Sequence, residues 1–340
     1  MDRIPQQPPV ILPLADEVNR PLWSVMIPVY NCSDYLREAL NSVLAQDPGA
    51  DQMQIEVVDD ASTDADVAAL VTSIGNGRVL YYRQPQNVGS LRNFETCINR
   101  AKGQLVHLLH GDDRTRPGFY QKMSKFFSEY PEIGAAFSRF THIDDKGNPL
   151  SEDPPLMDYD GIIPDWLFRI AQQQRLQYAC KVVKRSVYEK LGSFYGVTYG
   201  EDWEMWVRIA KYYPVAYTPE VLAEYRVHND SISNTKTLAG QTVRDLKFLS
   251  KVISEHLPAS QRKEVSRKST RIWAGYELGK ASALWDRTHN YKQVENYVKG
   301  ILDLHTDVGI LLRVCKLYAK MAIQTVVPPS KPASSRPIGH

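Results

Sequence analysis

Long apolar runs are missing from this chain. No uncharged stretch approaches the ~20 residues that a membrane-spanning helix needs, so no such helix is expected. The N-terminus has no basic start followed by an apolar core, so no secretory leader is expected either. Cysteine is scarce: Cys32, Cys97, Cys180 and Cys315 are scattered, with no CxxC pair and no zinc spacing. They read as reduced thiols of a cytosolic protein, which excludes a disulfide frame. Neither sign of charge dominates, since 41 Lys and Arg stand against 39 Asp and Glu. That balance by itself decides nothing about nucleic acid, and no nucleic-acid partner is expected. No GxGxxG follows the first apolar run and no GxxxxGK[ST] occurs anywhere. A dinucleotide-binding turn and a phosphate-cradling P-loop are thereby excluded.

What is present is an ordinary globular balance, 43% apolar and 24% charged over 340 residues. It suits one large α/β domain with a smaller appendage. Residues 1–21 are proline-rich and read as an extended lead-in. "WSVMIPVYN" reads as a buried parallel strand that Pro28 cuts off. Ser33 is placed to cap the helix that follows, in which Tyr35, Leu36, Ala39, Leu40, Val43 and Leu44 recur at helical spacing. "MQIEVVDD", "RVLYYRQP" and "QLVHLLH" read as further strands, with helices over "DADVAALVTSI" and "GSLRNFETCINRAKG" between them. Strands alternating with helices over short connections predict a parallel sheet wrapped by helices.

In such sheets ligands bind beyond the carboxyl ends of the strands. Here those ends carry "PVYN", "VDDASTD", "QNVGS" and "HGDDR", so Asp59, Asp60, Asp112 and Asp113 collect along one edge. Carboxylates suit a hard divalent cation, Mg²⁺ or Mn²⁺, and such a cation can bridge a diphosphate. An Asp-Asp pair after a strand also serves as a solvated turn or a helix cap. Ser62 or Asp64 could simply cap the next helix. His107 is read as part of the fold and His110 as part of the rim.

Five segments in order, "SVMIPVYNCSDYLREALNSVLAQ", "EVVDDASTD", "NVGSLRNFETCINRAKG", "LLHGDD" and "GEDWEMWVRIA", resemble the family-2 inverting glycosyltransferases of the GT-A fold. The resemblance covers roughly residues 22–235. It implies a GT-A nucleotide-diphospho-sugar transferase fold, a mostly parallel sheet flanked by helices. It implies a nucleoside pocket at Pro28, Val29, Tyr30 and Asp60, assisted by Asp59, with Arg92 facing the diphosphate. It places Asp112 on the sugar or ribose side of the donor and makes Asp113 the first ligand of Mn²⁺ or Mg²⁺. A histidine that returns to the metal in the family falls on His228. Asp202 matches the catalytic base, with Glu201 and Trp203 on the acceptor side. The fullest family pattern begins with Asp where this chain has His110.

The implied activity moves a sugar from a nucleotide-sugar donor to a hydroxyl of a glycan or lipid-linked acceptor. UDP-sugar is the first expectation; dTDP- and GDP-sugars stay open. Asp202 would sit in the first helical turn, where the helix dipole favours an ionised carboxylate. The metal and Arg92 would neutralise the leaving diphosphate, and one displacement would invert the anomeric carbon. The rival readings are a silent nucleotide-sugar binder and a scaffold of a polysaccharide assembly complex.

Residues 144–165 are rich in Pro and Asp and read as a loop or lid. Residues 236–327 read as amphipathic helices and 328–340 as a disordered tail. Within 307–327, Arg313, Lys316 and Lys320 form one basic stripe on a helix. Either the apolar face packs on the catalytic domain, or the helix makes peripheral contact with the inner face of a membrane.

Overall fold

The computed structural model describes residues 2–15, 20–228 and 242–326. Its centre is one sheet of ten strands. β1 (Trp23–Val29) and β2 (Met53–Asp59) are buried at every position, as expected for strands covered on both faces. They pair in parallel from Trp23 opposite Met53 to Val29 opposite Asp59, so their carboxyl ends lie level. β3 (Leu80–Arg83) pairs with β2 on the outer side. β4 (Leu105–Leu108) pairs with the other side of β1, from Trp23 opposite Leu105 to Met26 opposite Leu108. The order β3-β2-β1-β4 therefore reverses direction at β1. That switch point is where open α/β sheets leave a crevice.

Beyond β4 the sheet becomes mixed. β5 (Arg114–Thr115), β7 (Pro149–Glu152), β8 (Gly161–Ile162) and β9 (Lys181–Lys184) make short antiparallel ladders. β6 (Ala135–Ile143) and β10 (Val215–Arg226) form a long parallel one. The segment 144–165 is thus a turn followed by two short strands rather than a continuous loop.

Helices α1 (Ser33–Leu44), α2 (Val67–Gly75), α3 (Ser90–Arg100) and α4 (Phe119–Glu129) connect these strands. α5 (Trp166–Gln172), α6 (Arg185–Leu191) and α7 (Glu201–Tyr212) follow. Two caps differ from expectation. Ser33 does not cap α1; it opens the helix, and its amide donates to Asp64 Oδ2 at 2.9 Å. Asp64 is therefore spent across the crevice, and Asp66 caps α2 by accepting from the Ala69 amide. α3 ends at Arg100, short of Gly103, where a Cβ would come within 2.4 Å of the Trp23 backbone. That glycine serves close approach of the chain to β1.

The lead-in is extended but not loose. Ile11 is buried in the main core, and the carbonyls of Pro5 and Pro9 accept from the Gly196 and Ser193 amides. C-terminal to the sheet come α8 (Thr242–His256), α9 (Ala259–Thr288), α10 (Tyr291–Leu304) and α11 (Val308–Val326). α8 buries Leu246, Leu249 and Ile253 in the same cluster as the sheet. α9, α10 and α11 share a second cluster built on Leu278, Trp285, Tyr297 and Leu317. The expected division at 235/236, like the tail 328–340, lies outside the described residues.

In α11, Ile310, Val314, Leu317 and Met321 form the buried face. Its basic stripe is largely engaged with α9. Arg313 donates to the Gly275 carbonyl at 2.6 Å, and Lys320 pairs with Asp286 at 2.6 Å. The helix therefore packs on the C-terminal helical cluster rather than on the sheet domain, and leaves Leu312 and Ile323 exposed. No described helix is long and apolar enough to cross a membrane. All four cysteines are free.

Candidate active site

The turn after β4 carries His110, Gly111, Asp112 and Asp113 to the switch point. The Gly111 amide donates to the Pro28 carbonyl, 3.3 Å away at the end of β1. A Cβ on Gly111 would lie 2.9 Å from Cys32 Sγ and 3.0 Å from Val29 Cγ2, so this approach needs glycine. Arg226, the last residue of β10, supports the turn from the other side. Its amide donates to Asp113 Oδ1 and its Nε to the Asp112 carbonyl, each at 2.9 Å. Its Nη2 donates to Glu38 at 2.8 Å, and its guanidinium covers the Tyr35 ring.

His110 does not lie on a solvated rim. Its imidazole stacks between Phe94 and Tyr178, with ring centroids at 5.2 and 4.3 Å. His110, Asp112 and Asp113 each bring a ligand atom within 4.8 Å of the others. His110 Nε2 and Asp113 Oδ2 are buried with no hydrogen-bond partner. Burial and the adjacent Asp112 charge push the Asp113 carboxyl well above its ordinary range. Burial also pushes on Asp112, but the bond from His228 and the nearby His110 outweigh it and hold that carboxyl down. One carboxyl held down and one pushed up by burial, beside an unpartnered imidazole nitrogen, make a donor set that fits a divalent cation. His228 stands beside this set, its Nε2 at 3.0 Å from Asp112 Oδ2. His107, by contrast, is a core residue between Tyr120 and the Ala179 carbonyl, kept neutral by burial.

The expected donor residues gather at the ends of β1 and β2. Tyr30 is 51% exposed there. The two loops are stitched together, since Asn31 donates to Ser62 Oγ and accepts from the Thr63 amide. Asp60 accepts from the Val88 and Gly89 amides at 2.7 and 2.9 Å and from Asn87 at 2.9 Å. Asp59 is fully buried and accepts from Ser62, Tyr81 and Arg83. It supports the loop from beneath rather than facing a ligand. Arg92, in the first turn of α3, donates to the Asp2 carbonyl at 2.9 Å and to Glu95 at 2.7 Å. Pro28 and Val29 contribute backbone and packing.

On the other side of the His110–Asp112–Asp113 cluster, Gly200 turns the chain at φ +84° into α7. Asp202 Oδ1 accepts from the Trp203 amide at 2.7 Å, and Gln174 Nε2 donates to Oδ2. The helix dipole was expected to favour the ionised form, but burial dominates. It pushes the Asp202 carboxyl up to about 6, partly offset by its hydrogen bonds and by Lys181. Glu201 accepts from the Tyr178 hydroxyl at 3.2 Å. Trp203 is 1% exposed and donates to the Ile170 carbonyl at 2.6 Å; it packs beside Asp202 and still reaches the cavity that Asp202 lines.

One cavity of about 1300 Å³ unites His110, Asp112, Asp113, Glu201 and Asp202. Pro28, Val29, Tyr30, Asp59 and Asp60 at the adjoining strand ends, and Arg92 in α3, do not line it. Sequence reasoning missed Arg226 and Gln174, and it set His110 apart from the Asp112–Asp113 pair. The Arg226 contact joins β10 to the turn after β4, a pairing that no local pattern announces. For His110 the clue was present, in its place one residue before the glycine of "HGDD".

The sequence model of Glycosyl transferase family 2 matches residues 24–192. An uncharacterized protein of Mycobacterium tuberculosis is 38% identical over 119 residues, 35% of this chain and 36% of its own. The chain thus spans about a third of that relative. The putative teichuronic acid biosynthesis glycosyltransferase TuaG of Bacillus subtilis is 27% identical over 65% of this chain and 85% of its own. S. aureus TarS 1-349, solved in complex with UDP-GlcNAc, superposes with a TM-score of 0.66 at 13% identity. That superposition covers 89% of this chain and 91% of the other, a likeness of fold. Residues 24–192, which carry β2 to β9 and all but the first residue of β1, are a Glycosyl transferase family 2 domain by the sequence-model match, and the fold around them is of the GT-A type.

Proposed function

We propose that this protein is an inverting glycosyltransferase that uses a divalent cation, Mn²⁺ or Mg²⁺. It moves a sugar from a nucleotide-diphosphate donor to a hydroxyl of a glycan or lipid-linked acceptor. The observation that carries the reading is one cavity holding both a buried carboxylate of raised pKa, Asp202, and the His110–Asp112–Asp113 cluster. A cation bound there offsets the charge that develops on a leaving diphosphate. Asp113 Oδ2 and His110 are its first ligands, with Asp112 beside them and His228 orienting Asp112. UDP-sugar is the donor class, a choice supported by the UDP-GlcNAc bound to the TarS neighbour.

Asp202 accepts the proton of the attacking hydroxyl. A general base works best with a pKa near the operating pH, and a value of about 6 keeps Asp202 ionised at neutral pH. Gln174 fixes one of its oxygens, which leaves the carboxylate oriented before the acceptor arrives. Asp60 holds the 87–89 loop against the nucleoside side. Arg92 turns from the Asp2 carbonyl to the diphosphate when donor is present.

The test is stereochemical. With an α-linked UDP-sugar and Mg²⁺, which does not broaden proton spectra, turnover into water or an added glycan is followed by NMR. The first product should carry the β-anomeric proton. An α-anomeric first product would contradict the inverting mechanism.

A further inference from the structure

The cavity that holds the base has a second wall, and that wall is not part of the sheet domain. It comes from α9. Ile272, Trp273, Tyr276, Lys280, Leu284 and Arg287 all line the cavity. Their spacing of three, four and seven residues places them on one face of the helix. The face runs from 272 to 287, a rise of about 22 Å at 1.5 Å per residue. The opposite face, with Ala274, Leu278, Ala281 and Trp285, packs into the helical cluster. Leu284 joins that cluster too and Trp273 packs against the main core, so the cavity-side residues that packing does not explain are Ile272, Tyr276 and Arg287.

The wall is tied to the chemistry. Trp273 rests on Trp203, the residue after the base, with ring centroids 5.3 Å apart. Its Nε1 is buried without a hydrogen-bond partner. Tyr276, 58% exposed, adds a second ring at the cavity edge. Lys280 bonds to the Tyr199 hydroxyl at 3.1 Å and pairs with Glu277 at 3.0 Å, so its charge is balanced locally. Arg287, on the same face, and Arg175, on the facing loop, are exposed, and neither makes an ion pair among the described residues. Among the described residues, Asp153 is the one acid lining the cavity away from the His110–Asp112–Asp113 cluster and the Glu201–Asp202 pair. A wall of rings with an unused indole donor suits the flat faces and hydroxyls of sugars. Two uncompensated guanidinium groups at its mouth suit negative charge.

We propose that α9 is the acceptor-binding wall of this enzyme, and that its acceptor is an extended glycan carrying negative charge. The proposal rests on the glycosyltransferase reading and extends it to the acceptor. Trp273 and Tyr276 hold sugar rings next to Asp202, and Arg175 and Arg287 engage charges further along the chain.

The full-length protein is titrated, by thermophoresis, with a fluorescent oligogalacturonate, an oligomer of glycerol phosphate and a neutral maltooligosaccharide of equal length. The first two separate carboxylate from phosphate as the source of charge. At least one anionic oligomer should bind ten-fold or more tightly than the neutral one. Tyr276→Ala and the double variant Arg175→Ala/Arg287→Ala should each weaken it by ten-fold or more. Affinity for UDP-sugar with Mn²⁺, read by thermal shift, should stay the same in these variants, which also shows that they are folded. Binding of neither anionic oligomer, equal binding of the neutral one, or unchanged affinity in the variants overturns the proposal. Absence of any nucleotide-sugar binding by the unaltered protein would instead count against the underlying enzyme reading.

Discussion

At the scale of single residues, Asp202 carries the most specific consequence. Its neutral form cannot accept a proton, and its pKa lies at about 6. Turnover should therefore fall as pH drops through about 6 and level off above it. Asp202→Asn removes the base but keeps the shape, so the rate should drop by ~10²–10⁴ while donor affinity holds. Wild-type turnover in that variant would remove Asp202 from the mechanism. His110 makes a second expectation. An imidazole nitrogen among carboxylate oxygens favours Mn²⁺ over Mg²⁺. His110→Ala should thus weaken Mn²⁺ binding more than Mg²⁺ binding in a calorimetric titration. Equal losses for both ions would exclude His110 as a ligand. Asp112 and Asp113 were legible because they follow an apolar run whose end could be located, whereas Asp202 came from the resemblance to the family. The sequence could not show that Asp59 is consumed by Tyr81 and Arg83, because those partners belong to another strand.

At the scale of elements, the site depends on how closely two loops approach. The turn after β4 reaches β1 only because Gly111 has no side chain to place against Cys32 and Val29. Gly111→Ala should displace Asp112 and Asp113 and abolish metal-dependent donor binding. Overpacking of this kind typically costs ~1–3 kcal/mol in stability, so the variant should still fold, with a modestly lower Tm. Full donor affinity in Gly111→Ala would mean that the turn tolerates movement and that the cluster is not held as described. Strand and helix positions near this site were readable from hydrophobic period. Caps were not. Ser33 and Asp64 have the residue types of caps, but tertiary contact between their loops redirected both. The short antiparallel strands of 144–165 were hidden for a similar reason: β7 is exposed at every position and carries no alternation of apolar and polar residues.

At the scale of the whole molecule, the sheet and the C-terminal helices are not independent. α8 buries Leu246, Leu249 and Ile253 in the core of the sheet domain, and α9 closes the catalytic cavity. Burial of a large aliphatic side chain contributes roughly 1.5–3 kcal/mol, so the three together approach the ~5–15 kcal/mol that stabilises a typical domain. A chain ending at residue 241 should therefore melt well below the full protein or aggregate, as scanning calorimetry would record. An unchanged transition would show that the sheet domain stands alone. Helical periodicity announced these helices, but it could not say which face meets which partner, and so the cavity wall was not legible.

The central claim is that the turn after β4 holds a cation that holds the donor. A calorimetric titration of UDP-sugar into the full-length protein tests it most directly, run in Mn²⁺, in EDTA, and in Mn²⁺ with Asp113→Ala. The account predicts saturable binding in the first case and loss of at least ten-fold in affinity in the other two. Equal affinity in Mn²⁺ and in EDTA would contradict it.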